Sequence, residues 1–314
     1  MFLRWDMLYT ITLNPALDRT LWLDRIQDDV TNRIEREERF PGGKGIGVSR
    51  VLTALGIYNR AMGFTGGFHG AELEARLLEH GIQCNFTPIE EETRSNIVIH
   101  EQSTGRQLLL SSKGPHIYPE ELDRFCSDLA AIEDPTLVSI GGSLPEGVNP
   151  SVYRTIIRDL SRQGTRVILD AEGKALEAGL SSHPYAIKPN LRELSQVAGR
   201  TISGLADVIE AAEELRKKGA EIILVSMGAK GILLASDRER LLASPPPVRV
   251  KNTVGAGDSA VAGFLYGIAR GEDLETSLRY AVAAGTATTL REGTALAERE
   301  DVMRLFPQIR SKSV

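Results

Sequence analysis

From about residue 130 onward, buried-strand patterns and amphipathic helix patterns follow one another in turn, and this alternation restricts the chain to a narrow set of folds. Leu137-Val138-Ser139-Ile140 reads as a strand covered on both faces. Pro150 to Gln163 reads as a helix, with Val152, Ile156 and Leu160 on one face and Gly164 as its stop. Val167 to Asp170 is the next strand. Asp207-x-x-Glu210 reads as a capping box opening a helix that runs to Lys218, where Gly219 ends it. Glu221 to Met227 is a further strand. Such a βαβα series predicts an α/β fold, with a mostly parallel central sheet between two helical layers.

The first third reads differently. Thr20 to Leu23, Arg33 to Phe40, Arg94 to Glu101 and Gln107 to Leu110 are short extended segments with polar interruptions, and Ser103-Thr104-Gly105 is a turn between the last two. They predict a small sheet projecting from the main body. Between them Val48, Val51, Leu52 and Leu55 form a helical stripe that Gly56 stops. Residues 7–310 are expected to form one domain, with segments of about 19–40 and 93–112 inserted as the projecting sheet and residues 1–6 as a peripheral extension.

A chain of 314 residues with 42% apolar content can bury a full core. A net charge of −5 offers no basic surface for nucleic acid. Cys84 and Cys126 form no metal or redox motif and read as free thiols of a reducing compartment. No apolar run reaches the roughly 18 residues of a membrane span, and the N-terminus has no signal-peptide pattern. A cytoplasmic protein is expected. His69, His80, His100, His116 and His183 are scattered and carry no expected chemistry.

The sharpest chemical signal is Asn252-Thr253-Val254-Gly255-Ala256-Gly257-Asp258. Val261, Leu265 and Ile268 follow at helical spacing, so a helix starts near Asp258. A Gly-rich turn entering a helix presents free N–H groups and the positive end of the helix dipole, which suits a transferring phosphoryl group. Asp258 stands where it can take a proton from an attacking hydroxyl. Taken alone, the segment reads more readily as a glycine turn capped by an aspartate.

It does not stand alone. Pro41-Gly42-Gly43-Lys44-Gly45 is a second Gly-rich turn before a helix, and nothing about a turn calls for a lysine. Gly141-Gly142-Ser143-Leu144-Pro145, Lys188-Pro189-Asn190-Leu191-Arg192-Glu193 and Ser226-Met227-Gly228-Ala229-Lys230-Gly231 each follow a strand, where open α/β sheets bind ligands. With Thr12-Leu13-Asn14-Pro15-Ala16-Leu17-Asp18 and Thr93-Arg94-x-Asn96, these segments run in the order found in the PfkB, or ribokinase-like, family of sugar kinases. The chain resembles that family from residue 7 to about 294, and within it the branch of 1-phosphofructokinases and tagatose-6-phosphate kinases.

The resemblance implies a ribokinase-like three-layer α/β/α domain with a β-sheet lid that often mediates dimerisation, here a homodimer. It implies ATP and Mg²⁺. Asp258 would be the catalytic base, with the amides of Gly255, Ala256 and Gly257 as anion hole. Lys188, Ser226, Gly228 and Gly231 would line the nucleotide site, with Ala283 to Thr288 flanking the adenine. Asn190 and Glu193 would place Mg²⁺ through water. Asp18 and Gly43 would hold the sugar, Lys44 and Arg94 the phosphate already on it, and Asn96 nearby polar atoms. Each residue also has a plain structural reading: Glu193 as a helix-dipole partner, Arg94 as a solvated edge charge, Asp18 as a turn cap. Lys113 reads as a surface lysine.

Two positions leave the family pattern. Gly47 stands where an asparagine is usual, and Gly141 where a serine is usual. Both changes are expected to open space at the hydroxyl-reading side of the pocket and to alter the acceptor there. Asn252, where many relatives carry Asp, weakens any expectation of a monovalent-cation site. The expected activity is ATP-dependent phosphorylation of a phosphorylated ketohexose of the fructose 1-phosphate, fructose 6-phosphate or tagatose 6-phosphate class. The alternatives are a kinase of an unphosphorylated sugar, nucleoside or cyclitol, and a catalytically silent sensor.

Overall fold

The computed structural model describes residues 7–314, so the expected N-terminal extension at 1–6 lies outside the described residues. The first half of the chain runs β1 (Met7–Thr12), β2 (Ala16–Leu23), β3 (Arg36–Gly42), α1 (Lys44–Ala54), β4 (Asn59–Thr65), α2 (Gly67–Glu79), β5 (Gln83–Pro88), β6 (Arg94–Glu101), β7 (Arg106–Leu110) and α3 (Pro119–Ala130). The alternating part follows as β8 (Pro135–Gly141), α4 (Ser151–Ser161), β9 (Arg166–Asp170), α5 (Gly173–Leu180), β10 (Ala186–Ile187), α6 (Leu191–Ala198), α7 (Leu205–Lys217) and β11 (Ile222–Ser226). The chain closes with β12 (Ile232–Ala235), β13 (Arg240–Ser244), α8 (Ala256–Ala269), α9 (Leu274–Thr289), α10 (Arg299–Leu305) and β14 (Arg310–Ser313).

A ten-stranded sheet has the order β14-β13-β12-β11-β10-β9-β8-β1-β4-β5. It is parallel from β11 to β5 and antiparallel from β11 to β14. Period-two alternation sends successive side chains to opposite faces. Val138 and Ile140 pack with Phe125, Ile156, Leu194 and Val208 of α3, α4, α6 and α7. Their neighbour Leu137 packs with Val51, Val261, Phe264 and Ala283 of α1, α8 and α9 on the other side. The result is the expected three-layer α/β/α arrangement.

The four extended segments of the first third form a separate sheet of order β3-β2-β6-β7. β3 starts three residues later than the sequence suggested and continues through Pro41-Gly42, which a sheet edge tolerates. One helix start is a correction. Asp207 does not cap α7, which begins at Leu205 with Gly204 as N-cap. Asp207 is the third helical residue and accepts hydrogen bonds from the N–H and the hydroxyl of Ser203. Glu210 pairs instead with Arg200, at 3.0 Å.

The parallel strands run outward from β1 in two directions, through β4 and β5 on one side and β8 to β11 on the other. Where strand order reverses in this way, the loops at the carboxyl ends diverge and leave a crevice. Thr12, Gly141, Asp170, Lys188 and Ser226 all lie at or just beyond those ends.

Candidate active site

The glycine-rich turn at 253–258 is held from behind. Asn252 is buried, donates through Nδ2 to the Gly293 carbonyl, and accepts the Val254 N–H at 3.0 Å. Gly255 is the N-cap of α8 with φ 76°, a left-handed conformation that glycine adopts without strain. α8 is apolar on nearly every side and buried from Ser259 to Ile268, so it is fixed between the sheet and α9. The Ser259 and Thr288 hydroxyls, 2.6 Å apart, join the two helices near the turn.

The free amides differ in one respect from expectation. Ala256 donates its N–H to the Thr253 carbonyl at 3.3 Å. Among the described residues, the N–H groups of Gly255, Gly257 and Asp258 have no protein acceptor. A Cβ placed on Gly257 would lie 3.3 Å from Lys188 Nζ, so the lysine ammonium hangs directly over the turn.

Asp170, at the end of β9, was not singled out in the sequence and organises the charges. Its Oδ1 accepts from Lys44 Nζ at 2.8 Å, and its Oδ2 pairs with Lys188 Nζ at 3.2 Å. The side chains of Asp170 and Lys188 are 4% and 6% exposed, so this pair is desolvated and each charge depends on the other, while Lys44 is 32% exposed. Burial alone would raise the Asp170 carboxyl, but Lys188 and Lys44 hold it below the ordinary aspartate range. Burial would likewise discharge Lys44, yet Asp170, and behind it Glu193 and Asp258, hold its ammonium above the lysine range. The signal in the sequence was a carboxylate ending a buried strand.

Asp258 has the opposite setting. Desolvation pushes its carboxyl up to about 7, and the charges of Asp170 and Asp18 add to this against the opposing pull of Lys44 and Lys188. A carboxylate poised near neutrality in a cleft is suited to proton transfer.

The sheet that projects from the body brings its own residues to the same crevice. The β2–β6 register sets Asp18 beside Asn96 and Ala16 beside Arg94. Asn96 Nδ2 donates to Asp18 Oδ1 at 2.8 Å. Arg94 donates to the carbonyls of Ser112 and Asn14, at 2.8 and 2.9 Å, and lies 3.5 Å from the Ser143 hydroxyl. Its Nε is buried with no partner among the described residues. Asn14 ties Ser143 to the Lys113 carbonyl. Lys113 is exposed at this rim. Gly43 is the N-cap of α1, and the Thr12 hydroxyl accepts the Ile46 N–H at 3.0 Å, which fixes the start of that helix on the end of β1.

The expectation that Gly47 and Gly141 open the pocket is corrected. A Cβ on Gly47 would stand 2.5 Å from Asp258 Oδ2 and 2.9 Å from Asp258 Cβ. A Cβ on Gly141 would stand 2.5 Å from the Asp170 carbonyl oxygen. The volume is occupied by the Asp258 carboxylate and by the β9 backbone.

Asn190 and Glu193 form a reciprocal cap on α6. Asn190 Oδ1 accepts the Glu193 N–H and Glu193 Oε2 accepts the Asn190 N–H, both at 2.9 Å. Glu193 Oε1 has no protein partner among the described residues, so one carboxylate oxygen remains for other work. A bridge between Asn190 and Ser226 brings this helix start to the neighbouring strand end. There a cleft of about 560 Å³ opens, lined by Ser226, Gly228, Gly231, Pro245 to Pro247, Ala256, Gly257, Gly285 and Thr286. Among the described residues no group of three or more metal-ligating side chains is present, and no helix is long and apolar enough to cross a membrane.

Residues 11–301 match the pfkB family carbohydrate kinases. The chain is 33% identical over 304 residues to a 1-phosphofructokinase of Bacillus subtilis, covering 97% of this chain and 99% of that protein. It is 38% identical to a 1-phosphofructokinase of Haemophilus influenzae, covering 87% and 88%. Phosphofructokinase-2 of Escherichia coli in complex with fructose-6-phosphate superposes with a TM-score of 0.91 at 31% identity, covering 96% and 99%. Arabidopsis thaliana ribokinase, at 23% identity and a TM-score of 0.80, shares the fold. The chain belongs to the pfkB family of carbohydrate kinases.

Proposed function

We propose that this kinase transfers the γ-phosphoryl group of ATP to a hydroxyl of a phosphorylated ketohexose, with fructose 1-phosphate the first acceptor to test. The observation that carries the reading is the position of Asp258. Its carboxyl, near neutrality, sits at the start of α8 beside unpartnered amides and under the Lys188 ammonium.

Asp258 takes the proton of the acceptor hydroxyl as its oxygen attacks the γ-phosphorus, the bond from that phosphorus to the β–γ bridging oxygen breaks, and ADP leaves. The amides of Gly255 and Gly257 and the ammonium of Lys188 face the charge that builds on the transferred group. Asp170 keeps Lys44 charged and holds the ammonium groups of Lys44 and Lys188 in place. Asp18, oriented by Asn96, binds sugar hydroxyls. Arg94 supports a phosphorylated acceptor, because a buried N–H with no partner calls for an acceptor oxygen.

Mg²⁺ prefers one or two carboxylates together with phosphate oxygens and water, and the spare Glu193 oxygen, on the helix start that Asn190 bridges to Ser226, fits that donor set. When bound, the ion neutralises charge on the nucleotide phosphates. The exposed Leu109 and Leu110 of β7, with Ile34 just ahead of β3, support pairing of two copies through the projecting sheet.

The test is ADP release from MgATP with fructose 1-phosphate, fructose 6-phosphate, tagatose 6-phosphate and matched unphosphorylated sugars and cyclitols. Turnover confined to phosphorylated acceptors is expected. Turnover only on an unphosphorylated compound overturns the acceptor assignment, and nucleotide binding without turnover on any acceptor points to a sensor.

A further inference from the structure

The nucleotide cleft has an unusual lining for a site that must choose a base. Among the described residues no charged or carboxamide side chain lines it. Its walls are Ile232, Ala260, Val282 and the run Pro245-Pro246-Pro247. Two of its hydroxyls already donate into their own helix, Thr286 to the Val282 carbonyl and Thr289 to the Thr286 carbonyl, both at 2.7 Å. The other two, on Ser226 and Thr253, lie at the strand end and in the catalytic turn, where the phosphates belong. Gly228, Ala229, Pro247 and Val250 at the rim are exposed, Val250 at 53%.

Resting on the kinase reading, we propose that this cleft reads the donor base by shape and not by its hydrogen-bonding edge. It takes adenine, guanine and hypoxanthine nucleoside triphosphates nearly alike, and pyrimidines less well. Strong discrimination between a 6-amino and a 6-oxo purine requires a desolvated polar group that the wrong base leaves unpaired. Here the groups that can meet a base edge are backbone atoms at an exposed rim, where water serves either pattern. The proline run adds carbonyls but no N–H donors, and its fixed φ makes one wall stiff and preformed. A flat slot of this kind rewards contact area, and the smaller pyrimidine ring covers less of it.

The experiment compares kcat/KM for MgATP, MgGTP, MgITP, MgCTP and MgUTP with the best acceptor. Alongside it, calorimetric binding of ADP, GDP and CDP, each with Mg²⁺, reads the cleft without any acceptor. The three purine donors are expected within about tenfold of one another, and the pyrimidines about 10–200-fold below them. A purine spread beyond tenfold in both assays, or pyrimidines equal to purines, overturns the proposal. If ADP and GDP bind alike while no acceptor is ever phosphorylated, the base reading stands and the kinase reading falls.

Discussion

Gly47 of α1 and Asp258 of α8 approach so closely that no Cβ fits between them, because an added carbon would meet Asp258 Oδ2 at 2.5 Å and Asp258 Cβ at 2.9 Å. Rotating the carboxylate relieves only the first of these contacts. Any side chain at 47 therefore displaces the base or moves α1. Gly47→Ala is expected to lower kcat about 100-fold, the effect of a misplacement of about 1 Å at a reacting group. MgADP affinity should be unchanged. Steady-state kinetics beside calorimetry separates the two effects. A gain in kcat/KM on ketohexose phosphates from Gly47→Asn combined with Gly141→Ser would contradict this packing.

The raised carboxyl of Asp258 gives two pH signatures. With its ionised form as the proposed base, kcat/KM should rise about tenfold per pH unit up to about 7 and then level. Asp258→Asn should cut kcat by about 10²–10⁴ and abolish that limb. Stability has the opposite sense. The folded-state value lies above that of a free aspartate, so the stabilising contribution is complete below about pH 4 and lost as pH rises through 7. Asp258→Asn should therefore raise Tm at pH 8 and leave it nearly unchanged near pH 4. An equal Tm shift at both values would show that the carboxyl is not strained by its surroundings.

Asp170 is flanked by two ammonium groups and is buried, so its charge holds both in place. Removing one partner of such a cluster costs about 3–5 kcal/mol. Asp170→Asn is expected to lose about 3 kcal/mol in urea denaturation, and adding Lys44→Met should recover part of it. An unchanged urea midpoint would mean that water, not the carboxylate, satisfies the lysines.

Glu193 serves the α6 cap with one oxygen and leaves the other free, so its two roles are separable. Glu193→Gln retains an oxygen for the Asn190 N–H and removes the charge. It should cost less than about 1 kcal/mol of stability, while raising the Mg²⁺ concentration for half-maximal activity about 10–100-fold. Asn190→Ala should instead cost about 1 kcal/mol through the lost cap. A Glu193→Gln enzyme with an unaltered Mg²⁺ requirement would confine Glu193 to the cap.

Much of this was legible in the sequence, for identifiable reasons. The turn at 42–45 announces itself because nothing about an ordinary turn calls for a lysine, and the turn at 255–257 becomes legible once it is read in order with the other segments. Strands such as Leu137 to Ile140 are legible because burial on both faces leaves an apolar run broken only by the small Ser139. What escaped depends on distances across the fold. Asp170 ends a strand like many other aspartates until Lys44 and Lys188, 126 and 18 residues away in the chain, close on it. Gly47 and Gly141 looked like deletions from a pocket because a sequence records a missing side chain but not the backbone or carboxylate that moves into its place. The Asp207 start failed on local grounds, since an aspartate at the third helical position and one at the cap leave the same trace in sequence.

Arg94 separates acceptor recognition from lid architecture. Its two terminal nitrogens already brace the carbonyls of Ser112 and Asn14, while Nε remains buried and unpaired. Arg94→Lys keeps a positive charge but cannot reach both carbonyls and offer a third donor, because an ammonium lacks the planar fork of the guanidinium. KM for the phosphorylated acceptor is expected to rise about 10–100-fold, from a lost charge-assisted hydrogen bond worth about 1.5–3 kcal/mol. kcat should change little, and KM for the matched unphosphorylated sugar should stay where it was. The comparison between the two acceptors is the decisive measurement. If both KM values rise together, Arg94 acts by bracing the loop at 112–114, and the acceptor's phosphate must be held by another cation at this rim, of which Lys113 is the nearest in sequence.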